Sequence, residues 1–267
     1  MAFNDNVQYI PLTLEVIEQA AHPWPERWEE QLARLRWHLS TPYGTALMAE
    51  IFGDVIGVAC GFVQGGHGRI TVLGFLDEAD AEVRKRLTDA LIEALTEQGC
   101  SSIEVVAAPS DVAKWESFGF VAHEKILRYT GGRFLQATRD EVIHVEPEHR
   151  LGILHLDRKA CGFDRSTLVM EHIYLCVVYI EGTRIRGYSL SLLGEGLIVA
   201  DAPDVGLELQ RWHFPIQEHV LLPEGNGAHE HLTKQDYRSE LEGIRMVRGE
   251  VLPLKVEMCF AWEWMAV

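Results

Sequence analysis

Two stretches of this chain of 267 residues are similar to each other: FGDVIGVACGFVQGGHGRITV, from Phe52 to Val72, and EGTRIRGYSLSLLGEGLIVA, from Glu181 to Ala200. Each has a turn, a strand with an internal glycine, a glycine-bearing hairpin and a second apolar strand. The internal glycines, Gly57 and Gly187, are 130 positions apart, which is close to half the chain. Because solenoid repeats have periods of about 20–50 residues, this spacing favours a duplicated domain instead.

Composition and charge limit the classes of partner. Apolar residues make up 47% and charged residues 24% of the chain, which is ordinary for globular proteins, so each half can build a core. The formal net charge of −16 opposes binding to nucleic acid phosphates and anionic membrane surfaces, which requires Lys and Arg. No stretch approaches the ~18 consecutive apolar residues of a membrane span. We therefore expect neither a nucleic acid nor a membrane partner.

The cysteines and the N-terminal sequence indicate the compartment. The five cysteines are an odd number with wide spacing and no CxxC pair, so neither a disulfide framework nor a zinc ribbon is predicted. The opening sequence, MAFNDNVQYIPL, lacks the positive region and apolar run of a signal peptide. We expect a cytoplasmic protein with reduced cysteines.

Apolar periodicity predicts a mixture of helices and strands in both halves. The clearest helix spans Ala81–Gln98, where apolar residues recur on one face and Gly99 stands at the expected C-terminal cap. The junction lies near Thr130–Asp140, so we predict two domains, 1–135 and 140–267, each a mixed twisted sheet flanked by helices. Other predicted helices are Leu14–Ala21, Pro25–Leu39, Val112–Ser117, Glu148–His155, Asp164–Ile173, Pro203–Arg211 and Asn226–Lys234, and a final pair of strands runs through Trp264.

Short motifs in both halves carry a resemblance to a known family. The first half contains MAEIFGDVIGVACGFV, from Met48 to Val63, and WESFGF, from Trp115 to Phe120. The second half contains LDRKACGFDRS, from Leu156 to Ser166, and LPEGN, from Leu222 to Asn226. In this order they resemble the GNAT superfamily of acyl-CoA-dependent N-acetyltransferases in its tandem form. WESFGF is similar to the Y-x-x-x-G-F end of that family's last helix, and LDRKACGFDRS to the LDxxxFGxDRS opening of its C-terminal domain. The resemblance covers essentially the whole chain.

The resemblance implies direct transfer of an acetyl group from acetyl-CoA to a small-molecule amine, with no metal. In this chemistry a backbone N–H on a central strand polarises the thioester carbonyl, and the implied positions are Leu73 and Gly74. Glu50, on another central strand, is the carboxylate nearest to the implied position of a general base, and the alternative is that it is an exposed residue of an edge strand. Asn226 matches an asparagine that contacts the pantetheine arm in the family, and it also fits a helix N-cap.

The phosphate site departs from the family pattern. A Q/R-x-x-G-x-G/A loop, whose bare backbone N–H groups bind pyrophosphate at a helix N-terminus, is missing from both halves. In the first half the corresponding stretch, GFLDEADAEVRKRL, is acidic, and Asp80 can itself cap the helix. Arg84, Lys85 and Arg86, early in that helix, could supply positive charge to the cofactor instead. Alternatively they form a solvated helix face.

Two further positions bear on the chemistry. Trp115 replaces the family's tyrosine, and because an indole cannot protonate a thiolate, we interpret it as a core aromatic. His229 and His231 are two positions apart on a predicted helix, about 200° around its axis, so they do not converge on a metal ion.

Two functions therefore stay open: an acetyl-CoA-dependent N-acetyltransferase, or a catalytically degenerate GNAT-fold protein that binds a small molecule or a protein. We expect a monomer or a homodimer, with any cofactor site in the first half.

Overall fold

The computed structural model of the protein describes residues 6–19, 29–76, 79–133 and 136–263. Within these residues thirteen strands form two sheets, and helices pack against both. This arrangement confirms the predicted α/β (α+β) class. No helix in the described part of the chain is both long enough and apolar enough to cross a membrane.

The second half repeats the order of elements found in the first half and adds one strand. The elements of the first half are β1 (Val7–Pro11), α1 (Leu14–Gln19), α2 (Glu29–Ser40), β2 (Gly44–Ile51), β3 (Asp54–Gln64), β4 (His67–Phe75), α3 (Ala81–Glu97), β5 (Ser102–Ala107), α4 (Val112–Ser117) and β6 (Val121–Thr130). Those of the second half are β7 (Val142–His144), α5 (Arg150–Cys161), α6 (Ser166–Glu171), β8 (Val177–Glu181), β9 (Arg184–Leu190), β10 (Leu197–Ala200), α7 (Pro203–Gln217), β11 (His219–Pro223), α8 (Ala228–Lys234), β12 (Arg238–Gly249) and β13 (Cys259–Ala261).

The two hairpins that revealed the repeat have the same register. Gly57 of β3 pairs with Ala49 of β2, and a bulge follows at once in β3, where Ile56 is the extra residue. Gly187 of β9 pairs with Tyr179 of β8, and a bulge follows at the same place. The predicted duplication is therefore confirmed at the level of individual strand pairs.

The repeated internal glycine allows the long helix of each half to lie close to its hairpin. A Cβ atom on Gly57 would lie 2.8 Å from the Phe75 ring and 3.2 Å from Leu87 of α3. A Cβ atom on Gly187 would lie 2.7 Å from Leu209 and 2.8 Å from Val205, both on α7. Because real Cβ atoms do not approach other atoms so closely, glycine is required for this packing.

The halves exchange strands. The first sheet runs β1-β2-β3-β4-β5-β12-β6-β11, so β12 of the second half lies between β5 and β6 of the first. Strand β11 then pairs with the outer edge of β6. Consequently each half pairs its fifth strand with the sixth strand of the other half, β5 with β12 and β11 with β6. The predicted boundary between two domains, at residues 135–140, stays a prediction, because strands of both halves lie in one sheet.

The last two strands do not pair with each other, although a final strand pair was predicted. Strand β12 lies in the first sheet, whereas β13 pairs with β10 in the second sheet, whose order is β13-β10-β9-β8-β7. They are separated because β12, the sixth strand of the second half, pairs within the sheet of the first half, whereas β13 stays in the sheet of its own half. Trp264 lies outside the described residues.

Helix positions agree with the periodicity where a cap or an apolar stripe defines them. Helix α3 begins and ends within one residue of the prediction, and Gly99 has the expected positive φ of 88°. Helix α5 was predicted to end near His155, but it continues to Cys161 and is capped by Gly162, which has a φ of 83°. Helix α7 extends to Gln217 and includes Pro215, although proline normally breaks a helix. The predicted end of the first helix, at Ala21, and the predicted start of the second, at Pro25, lie outside the described residues.

The close contact of α7 with the hairpin yields a stability prediction. Replacing Gly187 with Ala should lower the free energy of unfolding by about 1–3 kcal/mol, because the added methyl group has to displace Leu209 or the Val199 carbonyl. Urea unfolding monitored by circular dichroism measures the change. Gly227→Ala is the matched control, since nothing lies within 4 Å of a Cβ atom there. Equal stability of Gly187→Ala and the wild type would contradict the packing role.

Candidate active site

The first half contains a cleft between two parallel strands. Strand β4 pairs with β5 only at three positions, which run from His67–Ser102 to Arg69–Glu104. Among the described residues, no strand lies between β4 and β5 beyond this point. Backbone groups along the inner edges of diverging strands can pair with an extended chain that carries amides, as in β-strand addition.

Leu73 and Gly74 lie on the part of β4 that borders this cleft. On the other side of β4 they pair with Ala59 and Val58 of β3. Because successive N–H groups of a strand point to opposite edges, one of the two N–H groups points towards β3 and the other towards the cleft. A backbone donor is thus available where the sequence predicts one.

The helix that follows β4 begins with an acidic cap. The Asp80 carboxylate accepts a hydrogen bond of 2.9 Å from the Val83 N–H, so the predicted N-cap is confirmed. Arg84 folds back onto the preceding loop, where its Nε donates to the Ala79 carbonyl at 2.8 Å and its Nη2 to the Leu76 carbonyl at 3.3 Å. Arg84 therefore ties the loop to the helix start. Residues 77 and 78 lie outside the described residues.

Three cations collect where α3 faces α4. The Arg84 guanidinium lies 5.1 Å from the Phe75 ring centre, and the Lys85 ammonium 6.0 Å from that of Phe118. The Lys114 ammonium lies 5.4 Å from the Trp115 ring centre. Burial lowers the pKa of Lys114, Asp111 opposes this effect, and the nearby charge of Arg84 lowers the pKa further. We call Arg84, Lys85 and Lys114 the basic cluster.

Sequence reasoning missed Lys114, although it directly precedes the WESFGF motif. Arg86, which also lies early in α3, is directed elsewhere. Its Nε donates to Glu82 at 2.6 Å, and its charge acts on Tyr9 of β1. Within the run Arg84–Arg86, the first two residues therefore belong to the cluster and the third does not.

Trp115 lies in the core, as predicted. It is almost fully buried and packs edge-on against Phe120, with ring centres 5.1 Å apart. This position therefore offers no group that could protonate a leaving thiolate.

Glu50 lies on β2, which is separated from β4 by β3. Because neighbouring strands are about 4.8 Å apart, its backbone is about 10 Å from β4, the strand that borders the cleft. Glu50 borders a surface groove of about 400 Å³. Phe52 beside it is 81% exposed and has a φ of 53°, a conformation that bulky residues rarely adopt. The lining residues are Asn6, Val7, Gln8, Glu50, Phe52 and Gly53.

Asn226 is buried in the second half, and its amide is engaged there. Its Nδ2 donates to the carbonyls of Val256 and Cys259, both at 2.9 Å. Its Oδ1 accepts from the Ala228 N–H at 2.8 Å, at the start of α8. The side chain therefore ties the start of β13 and the residues before it to this helix. Its predicted contact with a cofactor stays a prediction.

The corresponding gap of the second half, between β10 and β11, contains a strand of the protein itself. Strand β13 pairs with β10, and the Trp262 N–H donates to the Leu221 carbonyl of β11 at 2.9 Å. Phe260 on β13 is fully buried and sits where any Cβ atom on Gly206 of α7 would lie. The second half thus fills with β13 the gap that corresponds to the open cleft between β4 and β5 in the first half.

His229, one of the two histidines that raised the question of a metal, has other partners. The His229 Nε2 must donate to the Pro223 carbonyl at 3.1 Å, so its Nδ1 accepts from the Tyr129 hydroxyl at 2.8 Å. Among the described residues, Glu146, Glu148 and His149 form a group whose ligand atoms lie close enough together for a metal ion. This largely exposed group precedes α5 in the second half, remote in sequence from the predicted site residues of the first.

Comparison with known proteins supports the same architecture. No family model and no curated protein matches the sequence. A structure from Pyrococcus horikoshii, whose name assigns it provisionally to the acetyltransferases, superposes with a TM-score of 0.77 at 18% identity, over 98% of this chain and 95% of its own. A protein from Enterococcus faecalis, provisionally an N-acyltransferase, gives a TM-score of 0.56 at 10% identity, over 91% of this chain and 72% of its own.

A tandem GNAT protein from the clavulanic acid biosynthesis pathway gives a TM-score of 0.51 at 10% identity, over 91% of this chain and 98% of its own. Likeness at these identities shows the fold. The chain has the tandem GNAT fold, with two sheets flanked by helices. The first sheet is mixed, since β4 and β5 are parallel, whereas all strand pairs of the second sheet are antiparallel.

The role of Asn226 can be tested directly. Asn226→Asp places a carboxylate against the Val256 and Cys259 carbonyls and removes two hydrogen bonds, so it should lower the free energy of unfolding by about 3 kcal/mol. Chemical denaturation measures the change, and Asn6→Asp at an exposed position is the control. An Asn226→Asp protein as stable as the wild type would show that these hydrogen bonds are unimportant.

Proposed function

We propose that the protein is an acyl-CoA-dependent N-acetyltransferase that transfers an acetyl group from acetyl-CoA to a small amine. The observation that carries this proposal is the cleft between β4 and β5, which has a backbone donor on its edge and the basic cluster at its end. The tandem GNAT fold supports the same reaction class, as an inference from fold alone.

In this proposal the basic cluster replaces the missing phosphate loop. Coenzyme A carries a pyrophosphate, and the protein as a whole has a net charge of −16, so a phosphate group needs locally placed cations. Lys85 and Lys114 retain free donors, since an ammonium has three and their acidic partners are Asp89 and Asp111. Arg84 would contribute its charge while holding the loop.

The transfer itself requires few side chains. The amine nitrogen forms a bond to the thioester carbonyl carbon, the carbon–sulfur bond breaks, and the amine loses a proton as the thiolate gains one. In this scheme the N–H of Leu73 or Gly74 stabilises the negative charge that develops on the carbonyl oxygen. Because Trp115 cannot donate a proton to the leaving thiolate, the thiolate takes its proton from solvent.

Glu50 is our proposed general base. At about 10 Å from β4 it is too far for direct contact with an amine in the cleft, so it would act through ordered water. The groove beside it offers a carboxylate and the exposed ring of Phe52, both of which attract an ammonium group.

A second candidate function is a binding module without catalysis. Two observations favour it: Asp80 occupies an N–H donor at the start of α3, and Trp115 replaces the proton donor. This candidate predicts either no acetyl-CoA binding or binding without turnover, so the two experiments that follow separate it from the enzyme.

The first experiment tests cofactor binding by isothermal titration calorimetry. We expect the wild type to bind acetyl-CoA, and Lys85→Ala and Lys114→Ala each to raise the dissociation constant about tenfold, because each removes a charge-assisted contact to phosphate. Arg86→Ala, an exposed cation of the same helix that lies outside the basic cluster, is the control and should change it less than about twofold. No heat of binding at millimolar acetyl-CoA would reject the enzyme, and unchanged affinity in both lysine variants would reject the cluster.

The second experiment tests catalysis by following release of the coenzyme A thiol with a panel of small amines. Glu50→Gln should lower kcat about 10²-fold, since general base catalysis contributes about 10²–10⁴, while acetyl-CoA affinity stays unchanged. Glu97→Gln, exposed at the end of α3, is the control. Full activity in Glu50→Gln would remove Glu50 from the mechanism, and binding without thiol release from any amine would favour the binding module.

A further inference from the structure

The point at which the cleft opens is formed by two buried charged residues. Arg69 of β4 and Glu104 of β5 are the last paired positions of the two strands. The Arg69 Nη2 lies 2.8 Å from the Glu104 Oε1, and the two side chains are 8% and 3% exposed. This pair therefore marks the apex of the cleft.

The second half holds both apex residues. The Nε of Arg245 on β12 donates to the Glu104 Oε2 at 2.6 Å. The Oε1 of Glu263, two residues after β13, accepts from the Arg69 Nη1 at 2.9 Å. Each apex residue consequently has one charged partner in its own half and one in the other.

These contacts belong to a longer chain of buried charges. Arg165 donates to Glu263, and its Nη2 lies 2.8 Å from Asp157 Oδ1. The Tyr188 hydroxyl donates to Asp157, and the Arg245 Nη1 also donates to Glu124 at 2.8 Å. Three guanidinium groups and four carboxylates thus form one network, which we call the interhalf charge network: Arg69, Glu104, Glu124, Asp157, Arg165, Arg245 and Glu263.

The carboxylate of Glu104 stays charged within the network. Burial raises the pKa of Glu104, but Arg245 and Arg69 outweigh burial, so the net effect lowers that pKa. Buried ion pairs often stabilise a fold less than apolar residues of similar volume, and their best-attested use is to fix register. Planar guanidinium groups bound to carboxylates at several atoms define the separation of the strands that carry them.

We propose that Arg245 and Glu263 are positioning residues of the second half that set the opening of the β4–β5 cleft in the first. The inference rests on the proposed function for the identity of the ligand, acetyl-CoA. Its physical content is that removing either residue loosens the apex, so that the cleft edge of β4 is no longer held in the geometry that an extended ligand needs. The second half would then support the site without contacting the substrate.

The test uses the full-length chain with Glu263→Gln, Arg245→Met and Arg245→Lys. Glu208→Gln is the matched control, because Glu208 on α7 is as buried as Glu263 but lies outside the network. Its carboxylate accepts from the Thr138 and Arg139 N–H groups at 2.7 and 3.1 Å. Two quantities are measured at a temperature where every variant is folded: the dissociation constant of acetyl-CoA by calorimetry, and hydrogen–deuterium exchange in residues 70–75.

We expect Glu263→Gln and Arg245→Met to exchange faster in residues 70–75 and to bind acetyl-CoA about tenfold more weakly, with Glu208→Gln equal to the wild type in both. Arg245→Lys should recover part of both losses and serves if Arg245→Met does not fold. Unchanged exchange and affinity, or the same losses in Glu208→Gln, would overturn the inference. If the wild type binds no acetyl-CoA, the proposed function fails, and the exchange comparison alone decides whether the network positions β4.

Discussion

The edge of β5 that faces away from β4 is paired with β12, a strand of the second half, and the rest of the fold depends on this pairing. A strand edge leaves backbone N–H and C=O groups that need partners. The first half has six strands and leaves the position between β5 and β6 to its neighbour. Since β11 pairs with β6 in return, neither half can complete its hydrogen bonds alone.

This exchange also explains why two halves of common origin differ in their clefts. Each half contains a fourth and a fifth strand, but among the described residues only the second half has a seventh strand, β13. That strand pairs with β10 and places Phe260 against Gly206, so the gap in its own half is filled by chain. The first half ends at β6 and has no such strand among the described residues. In our proposal one copy receives the ligand, while the other fills its own gap and supplies β12 to the shared sheet.

Local features of the fold could be predicted from the sequence, whereas features of pairing could not. Helix α3 has a regular apolar stripe, the Asp80 cap and Gly99, so its bounds follow from short-range chemistry. The repeated Gly57 and Gly187 revealed the duplication before their packing role was known. Periodicity cannot show which edge a strand joins, because a buried strand has the same pattern beside any neighbour. For that reason the placement of β12 and β13 was not foreseen.

The candidate site was predicted in part for the same reason. Leu73 and Gly74 border the cleft, and Arg84 and Lys85 belong to the basic cluster, because these positions follow from one strand and one helix. Lys114 was missed because its proximity to Arg84 depends on how α4 packs. Asn226 ties α8 to the start of β13 and the residues before it, through carbonyls about 30 positions away that the sequence could not place.

The most direct test of this division between the halves is a crystal structure of the protein soaked or grown with coenzyme A. Our account predicts density for the pantetheine arm between β4 and β5, with an amide paired to the backbone near Leu73 and Gly74 and phosphates near Lys85 and Lys114. Density for the cofactor against β10 in the second half, with β13 displaced, would contradict it.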